Sequence, residues 1–462
     1  MTMLFRPLGD PRLVLILLTM GLTLPCADAA PPIALAGAKV ELVDYQGPAA
    51  FTVRSTEKFR LEISVTPNTE REPLSLRIEL AASGRETWPV QDVEVRDSAG
   101  HPVPVRRAGI EWHRLFLTIP AEAATYVVQA VPPAKERVRV LPDKGRLCSD
   151  TTTGLQAAVC NWHGARRAAL SIRFDDSHPT HLSKAIPILR QYGFRGTFMV
   201  NPGSFPPGTR QRSAFQDQLA EWEAVAARGD QEFANHSAHH RGAENDAEME
   251  AEVREASEAI WQLFPGKSRL LALNLGGGTW WTTTRPLRYY LDKYHLFDVS
   301  GSLGMDDVYG NRVAAFREHL QRHIERALWC RIHYHSIGDG QAAGEANFLA
   351  ALDLVKQRRS DLWIAGMADI YKYQVERAGA ALAMESTSAD RAVLRLTCST
   401  DPQFYDQPLT LQITLPESWP PDRVAVSDST AKSLPTESQA TVDGTAIRFD
   451  VPPVTSEFVI RR

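Results

Sequence analysis

The sequence predicts an α/β fold at its centre with a β-sandwich domain on either side. Three observations carry this. Strand-like runs alternate with amphipathic helical stretches from about residue 165 to 375. Apolar residues alternate with period two before and after that stretch. An adjacent carboxylate pair, Asp175-Asp176, closes the first central strand, and histidines cluster after two later ones.

The chain has 462 residues, a length that suggests about two to four domains. Residues 1–29 read as an export segment. Arg6 and Arg12 precede the apolar run Leu13 to Leu24, and Ala27-Asp28-Ala29 is a small-x-small cleavage site. The run is short for a membrane span, so the mature protein is expected to be exported, periplasmic or extracellular. Cys26 invites a lipoprotein reading, but Pro25 before it fits a lipidation site poorly.

Residues 30–147 read as a β-sandwich. Phe59, Leu61, Ile63 and Val65 alternate with mostly polar residues, as do Leu74, Leu76, Ile78 and Leu80. Such alternation marks half-buried strands. Turn formers such as Pro67-Asn68 and Asp97-Ser98-Ala99-Gly100 separate the runs.

Residues 148–378 form the α/β segment. Its strands are expected at Ala169–Phe174, Gly196–Val200, Glu232–Asn235, Leu270–Leu275 and Trp329–His335. Between them, Phe215, Leu219, Trp222 and Val225 recur at helical spacing, as do Met249, Val253, Ala256, Ile260 and Leu263. Alternating strands and helices imply a parallel sheet or barrel. Residues 379–462 return to alternation, with Leu394, Leu396 and Cys398 in one run and Leu409, Leu411, Ile413 and Leu415 in another. They read as a second, smaller β-sandwich.

The candidate site residues lie at strand C-terminal ends, where parallel α/β folds assemble active sites. Adjacent carboxylates repel unless a cation or proton relieves them. Asp175 and Asp176 would also suit a helix N-cap or a solvated loop; the histidines downstream favour metal chemistry. His236 and His240 are four apart, so a helical turn would put them on one face. Two imidazoles and a carboxylate leave positions on a zinc ion for water and substrate. His239 is an alternative ligand. His333 and His335 face the same side of a strand, and His335, nearer the strand end, is the better candidate for a proton donor.

Exposed Trp280-Trp281 would stack on sugar rings, while at least one of them is expected in the core. Cys148 and Cys160, which bracket a short polar loop, are the likeliest disulfide pair in an exported chain. A net charge of -4 gives no basic footprint for nucleic acid, and no Gly-rich phosphate loop or HExxH motif occurs.

The segment from about 168 to 375 resembles the polysaccharide deacetylases of the NodB-homology type, carbohydrate esterase family four. Arg173-Phe174-Asp175-Asp176-Ser177 is similar to the family's first motif, and His236-Ser237-Ala238-His239-His240 to its second. Ile332-His333-Tyr334-His335 is similar to the late strand ending in His, and Tyr192 to Val200 to the family's second strand. The resemblance implies a distorted, incomplete (β/α) barrel. It implies that Asp176, His236 and His240 bind a divalent metal, commonly zinc, that Asp175 is the general base and that His335 is the general acid.

Departures are visible. Arg173 and Ser177 stand where the family has a small hydroxyl residue and Gly. The Arg-Pro motif whose Arg braces the base is missing from Leu270–Gly278; Asn274 is the candidate substitute, and Arg285-Pro286 lies downstream. The Asp that orients the catalytic His is to be sought among Asp298, Asp306 and Asp307. The expected activity is removal of acetyl groups, N-acetyl foremost, from an acetylated polysaccharide or oligosaccharide. A glycan-binding protein on a deacetylase scaffold and an amidase for a non-carbohydrate amide are the rival readings.

Overall fold

The computed structural model describes residues 32–43, 50–66, 74–81, 87–119, 123–131, 143–205, 214–265, 267–338, 342–441 and 444–462. The expected export segment 1–29, with Cys26, lies outside them, as does the Pro67-Asn68 turn. Among the described residues no helix is long and apolar enough to cross a membrane.

The central sheet begins with β1 (Ala168–Phe174), whose seven residues are all buried. A strand covered on both faces needs an almost continuous apolar run, and β1 supplies it except at Ser171 and Arg173. The chain continues through α1 (Ile186–Tyr192), β2 (Gly196–Val200), α2 (Leu219–Arg228), β3 (Glu232–Asn235), α3 (Asp246–Leu263), β4 (Leu271–Leu273), α4 (Leu287–Lys293), β5 (Leu296–Asp298), β6 (Leu303–Gly304), α5 (Arg312–Glu325), β7 (Trp329–Tyr334), α6 (Glu345–Gln357), β8 (Leu362–Ile364) and α7 (Met367–Ala378). The strand order is β5-β4-β3-β2-β1-β7-β6, with β8 on β1, and every pairing is parallel. β5 and β6 are the two ends of the path, so the barrel is incomplete, as expected. The strands β5, β6 and β8 escape pattern reading because two or three residues cannot establish a period.

Helix ends aim the strands. α1 and α2 stop at Gly193 and Gly229, whose φ of 65° and 69° is open to glycine at little cost. Asn245 caps α3 by accepting from the Ala247 and Glu248 amides at 3.0 Å each. The helices bury Ile186, Leu189, Trp222, Met249, Phe316, Leu320 and Phe348 against Leu170, Ile172, Phe174 and Phe198 of the sheet. All C-terminal strand ends therefore open on one rim.

The flanking strands form two sandwiches. Before the barrel, a six-stranded sheet faces a four-stranded sheet over a core of Leu61, Ile63, Leu76, Ile78, Leu115 and Val128. Its sixth strand, Trp280–Thr283, comes from the central segment and pairs antiparallel with Val105–Ala108. Trp281 is fully buried and Trp280 is 38% exposed, which meets the expectation that one of the two is core. After the barrel, a five-stranded and a four-stranded sheet enclose Leu394, Leu396, Leu411, Ile413 and Phe449. The strands Leu147–Ser149 and Gln156–Val159 join this last sandwich, with Ala157 opposite Ile413.

The expected Cys148–Cys160 bridge is absent, and Cys148, Cys160, Cys330 and Cys398 are free thiols. Register is the reason. Cys148 pairs across its hairpin with Ala157, which leaves Cys160 three residues further along, roughly 10 Å away at strand rise and beyond the reach of a disulfide.

Trp281 packs in the barrel core while its backbone completes the neighbouring sheet, and its indole N–H donates to Thr279 Oγ1 at 2.8 Å. Trp281→Ala is expected to lose about 3–5 kcal/mol of stability, read as a lower denaturant midpoint.

Candidate metal and acid–base site

β1 ends in Phe174, and the chain then turns abruptly: Asp176 and Ser177 have φ of 74° and 52°. Across the rim, Ser237 and His240 have φ of 62° and 53°. Such left-handed conformations cost about 1–3 kcal/mol each in non-glycine residues and persist only where surrounding contacts dictate them. Ser177 occupies a position that would suit glycine, and its Oγ is held by the Asn201 amide at 2.9 Å. Ser237 is fixed through its amide by Asn235 Oδ1 at 2.8 Å, and its Oγ accepts from the His240 amide at 3.0 Å.

The segment His236–His240 is thus a tight irregular loop after β3 and not the helical turn that the spacing suggested. The loop still brings the two rings together, with centroids 4.8 Å apart. His236 Nε2 lies 3.2 Å and His240 Nε2 3.6 Å from Asp176 Oδ1. Asp176, His236 and His240 form a group whose ligand atoms all lie within 4.8 Å of one another. His239 turns away: its Nδ1 donates to Glu252 Oε1 at 2.8 Å and its amide donates to Glu252 Oε2 at 2.8 Å. The alternative ligand role is therefore not available to it.

The residues fit a divalent metal. Asp176 Oδ1 is buried without a hydrogen-bond partner, although two imidazole nitrogens face it. His236 donates its other ring nitrogen, Nδ1, to the Asn274 carbonyl at 2.8 Å, which leaves Nε2 free with its lone pair toward Asp176, the arrangement metal-binding histidines use. His240 leans on Gly276, where any Cβ would come within 2.1 Å of its Nε2. Burial alone would raise the Asp176 carboxyl; the neighbouring imidazoles, His236 first and then His240 and His335, hold it well below the usual carboxylate range. Burial and His236 lower the His240 imidazole, which favours the neutral, ligating form.

Asp175 is 3% exposed. Its Oδ2 accepts from Arg173 Nη2 at 2.7 Å, and its Oδ1 is buried with no partner. Burial opposes ionisation, but Arg173, His236 and His333 overcome it and keep the carboxyl below its ordinary range. The brace that the sequence lacks in its expected place is therefore supplied from β1 itself. Residues two apart on a strand face the same side, so this partnership was readable from Arg173-Phe174-Asp175. Asn274 does not bind a carboxylate: its side-chain oxygen accepts from the Gly276 amide at 3.0 Å. Arg285 sits 3.6 Å from Glu250 and does not brace Asp175.

His335 follows β7. Its Nδ1 donates to Asp306 Oδ2 at 2.5 Å and its amide donates to Oδ1 at 3.1 Å. Asp306 is fully buried. Among the three candidate aspartates it is the orienting one, because pairing of Gly304 with His333 carries it alongside the end of β7. Asp298 instead binds Gln91 and Ser300, and Asp307 binds Gly344 and Asn347. The Asp306 hydrogen bond raises the His335 imidazole, against burial, and leaves Nε2 4.0 Å from Asp176 Oδ2. His333, by contrast, is lowered to about 4, by burial first and then Arg173; Ser302 Oγ lies 2.8 Å from its Nδ1. Sequence reasoning passed over His181, whose Nε2 donates to the His335 carbonyl at 2.5 Å; no local pattern announces it.

Residues 164–290 match the family described as polysaccharide deacetylase, and this segment is a domain of that family. The match contains Asp175, Asp176, His236 and His240 and stops before Asp306 and His335. No protein of curated function matches the chain. Similar solved structures include a family 4 carbohydrate esterase from Streptomyces lividans, 21% identical over 44% of this chain and 94% of that one, with a TM-score of 0.31. The peptidoglycan deacetylase PdaC from Bacillus subtilis is 14% identical over 44% and 90%, with a TM-score of 0.32. The chitin deacetylase from Colletotrichum lindemuthianum is 13% identical over 44% and 86%, with a TM-score of 0.32.

Two substitutions test the support around these groups. Arg173→Gln strands a buried carboxylate and is expected to cost about 3–5 kcal/mol, measured by denaturant unfolding. Gly276→Ala displaces His240 and is expected to weaken retention of a divalent ion by about tenfold or more, measured by competition with a chelator.

Proposed function

We propose that the protein is an exported, metal-dependent hydrolase that removes acetyl groups, N-acetyl foremost, from a polysaccharide or oligosaccharide. One observation carries the reading. A three-residue ligand set, a carboxylate with one free oxygen whose ionised form is favoured, and an imidazole whose protonated form Asp306 favours meet on one rim of a deacetylase-family domain.

Asp176, His236 and His240 are the residues that would hold the metal. When bound, a zinc-class ion lowers the pKa of water to about 7 and polarises the acetyl carbonyl. Asp175 accepts the proton of the attacking water on Oδ1, while Arg173 pins Oδ2 and fixes the direction in which Oδ1 points. His335 donates from Nε2 to the departing nitrogen, and Asp306 keeps the opposite ring nitrogen protonated. Asp175 and His335 thus hold different protonation states at the same pH, as proton transfer in both directions requires. The exposed Trp280 and the turn Gly276-Gly277-Gly278 lie on the chain just after the site and suit the approach of a sugar polymer.

Acetate release from acetylated chitooligosaccharides, with and without chelator, is the deciding assay. Release is expected to require the metal and to fall about a hundredfold or more in Asp175→Asn. Sugar binding without release, unchanged in Asp175→Asn, would establish the glycan-binding reading instead. Release from simple amides but not from glycans would establish the amidase.

The pH profile follows from the same groups. The rate needs Asp175 ionised and His335 protonated. The lowered Asp175 pKa carries the acid limb below the ordinary carboxylate range, and the raised His335 pKa carries the basic limb above the ordinary imidazole range. Asp306→Asn removes the largest cause of the His335 shift, so its basic limb is expected to move to lower pH in a kcat/KM profile.

A further inference from the structure

At the opposite end of β7 from His335, two histidines and a cysteine converge. We propose that His319, His323 and Cys330 form a second metal site, for a zinc-class transition ion, that fastens α5 to β7.

One ligand atom from each residue lies within 4.8 Å of the others. His319 and His323 are one turn apart on α5, with ring centroids 4.0 Å apart; an i, i+4 pair puts both imidazoles on one helix face. Cys330, fully buried at the second position of β7, closes the group from the facing strand. Cys330 lies five residue steps before His335, roughly 16 Å along the strand, so this group is distinct from the rim site.

The local hydrogen bonds favour ligation. His323 Nδ1 donates to the His319 carbonyl at 2.6 Å, which leaves Nε2 unprotonated and fixes the ring, as partners behind metal-bound histidines do. The group lies in the last two turns of α5, where the partial negative charge of the helix end favours a cation. Arg322 reaches His319 Nδ1 only at 3.4 Å from an exposed position, a long contact that an ion would displace. Arg331, next to Cys330, is drawn over the Trp329 ring at 5.2 Å and away to the Ser300 carbonyl.

The donor set selects the ion. One sulfur and two imidazole nitrogens, with no carboxylate, suit zinc or cobalt and not calcium or magnesium. The buried thiol binds as thiolate: the metal–sulfur bond forms as the S–H bond breaks, and the proton passes to solvent. Three protein ligands from two elements bridge the turn Arg326–Leu328 and hold in place the strand that delivers His335.

Cobalt titration of the metal-free, full-length mature protein tests this, because thiolate-to-cobalt charge transfer absorbs strongly and the rim ligands Asp176, His236 and His240 contain no sulfur. Wild type is expected to bind two equivalents, one of them with the charge-transfer band. Asp176→Asn is expected to keep the band while losing the other equivalent. Cys330→Ser is expected to lose the band and one equivalent, and His319→Gln, on the partly exposed helix face, to weaken the band-forming equivalent tenfold or more even if Cys330→Ser fails to fold. Cobalt binding by wild type without charge transfer would overturn the proposal, as would a band that survives unchanged in His319→Gln. Acetate release plays no part in these readouts, so the site stands or falls independently of the proposed hydrolysis.

Discussion

Two neighbouring carboxylates, Asp175 and Asp176, sit at the end of a strand that is buried on both faces. Most of the rim is arranged around the cost of keeping both of them ionised. Desolvation pushes each toward the neutral acid, and each charge opposes the other. Arg173 answers for Asp175 along the strand. His236 and His240 answer for Asp176 across the rim. The two solutions differ chemically. A guanidinium is permanently charged and holds its partner ionised, whereas neutral imidazoles beside a carboxylate leave a place for a cation.

That arrangement explains the conformations nearby. A strand end cannot present two successive carboxylates toward the same site without a sharp turn, because successive side chains alternate sides. Positive φ at Asp176 and Ser177 is how the chain makes the turn, and the Asn201 amide on Ser177 helps to hold it. The loop after β3 meets the same demand with Ser237 and His240, braced by Asn235 and by the closeness of Gly276. The backbone strain thus lies where the side chains must converge.

The flanking sheets are not simple appendages. The strand Trp280–Thr283 leaves the glycine turn that packs on His240 and completes the sheet of the preceding sandwich. Gln91 and Arg288 add polar contacts on the same side, to Asp298 and Asp92. Strands before the barrel likewise complete the sandwich after it. Placement of the loop that carries His236 and His240 is therefore tied to the folding of its neighbours, which a motif confined to residues 164–290 does not reveal.

Sequence alone determined the features that are periodic or contiguous: the strand–helix alternation, the two alternating flanks, and the clusters at Asp175-Asp176, His236 to His240 and His333 to His335. These are local, because strand period, helix period and motif spacing are properties of neighbouring residues. The Arg173 brace was also legible in principle, since residues two apart share a strand face. Tertiary structure alone decided which aspartate serves His335, which histidine of the loop turns away, and which tryptophan is core. Each of these depends on register between segments distant in the chain: Gly304 against His333, Glu252 against His239, Arg107 against Trp281. The failure of the Cys148–Cys160 bridge has the same cause. Spacing along the chain made the pair plausible, and hairpin register holds the two thiols apart.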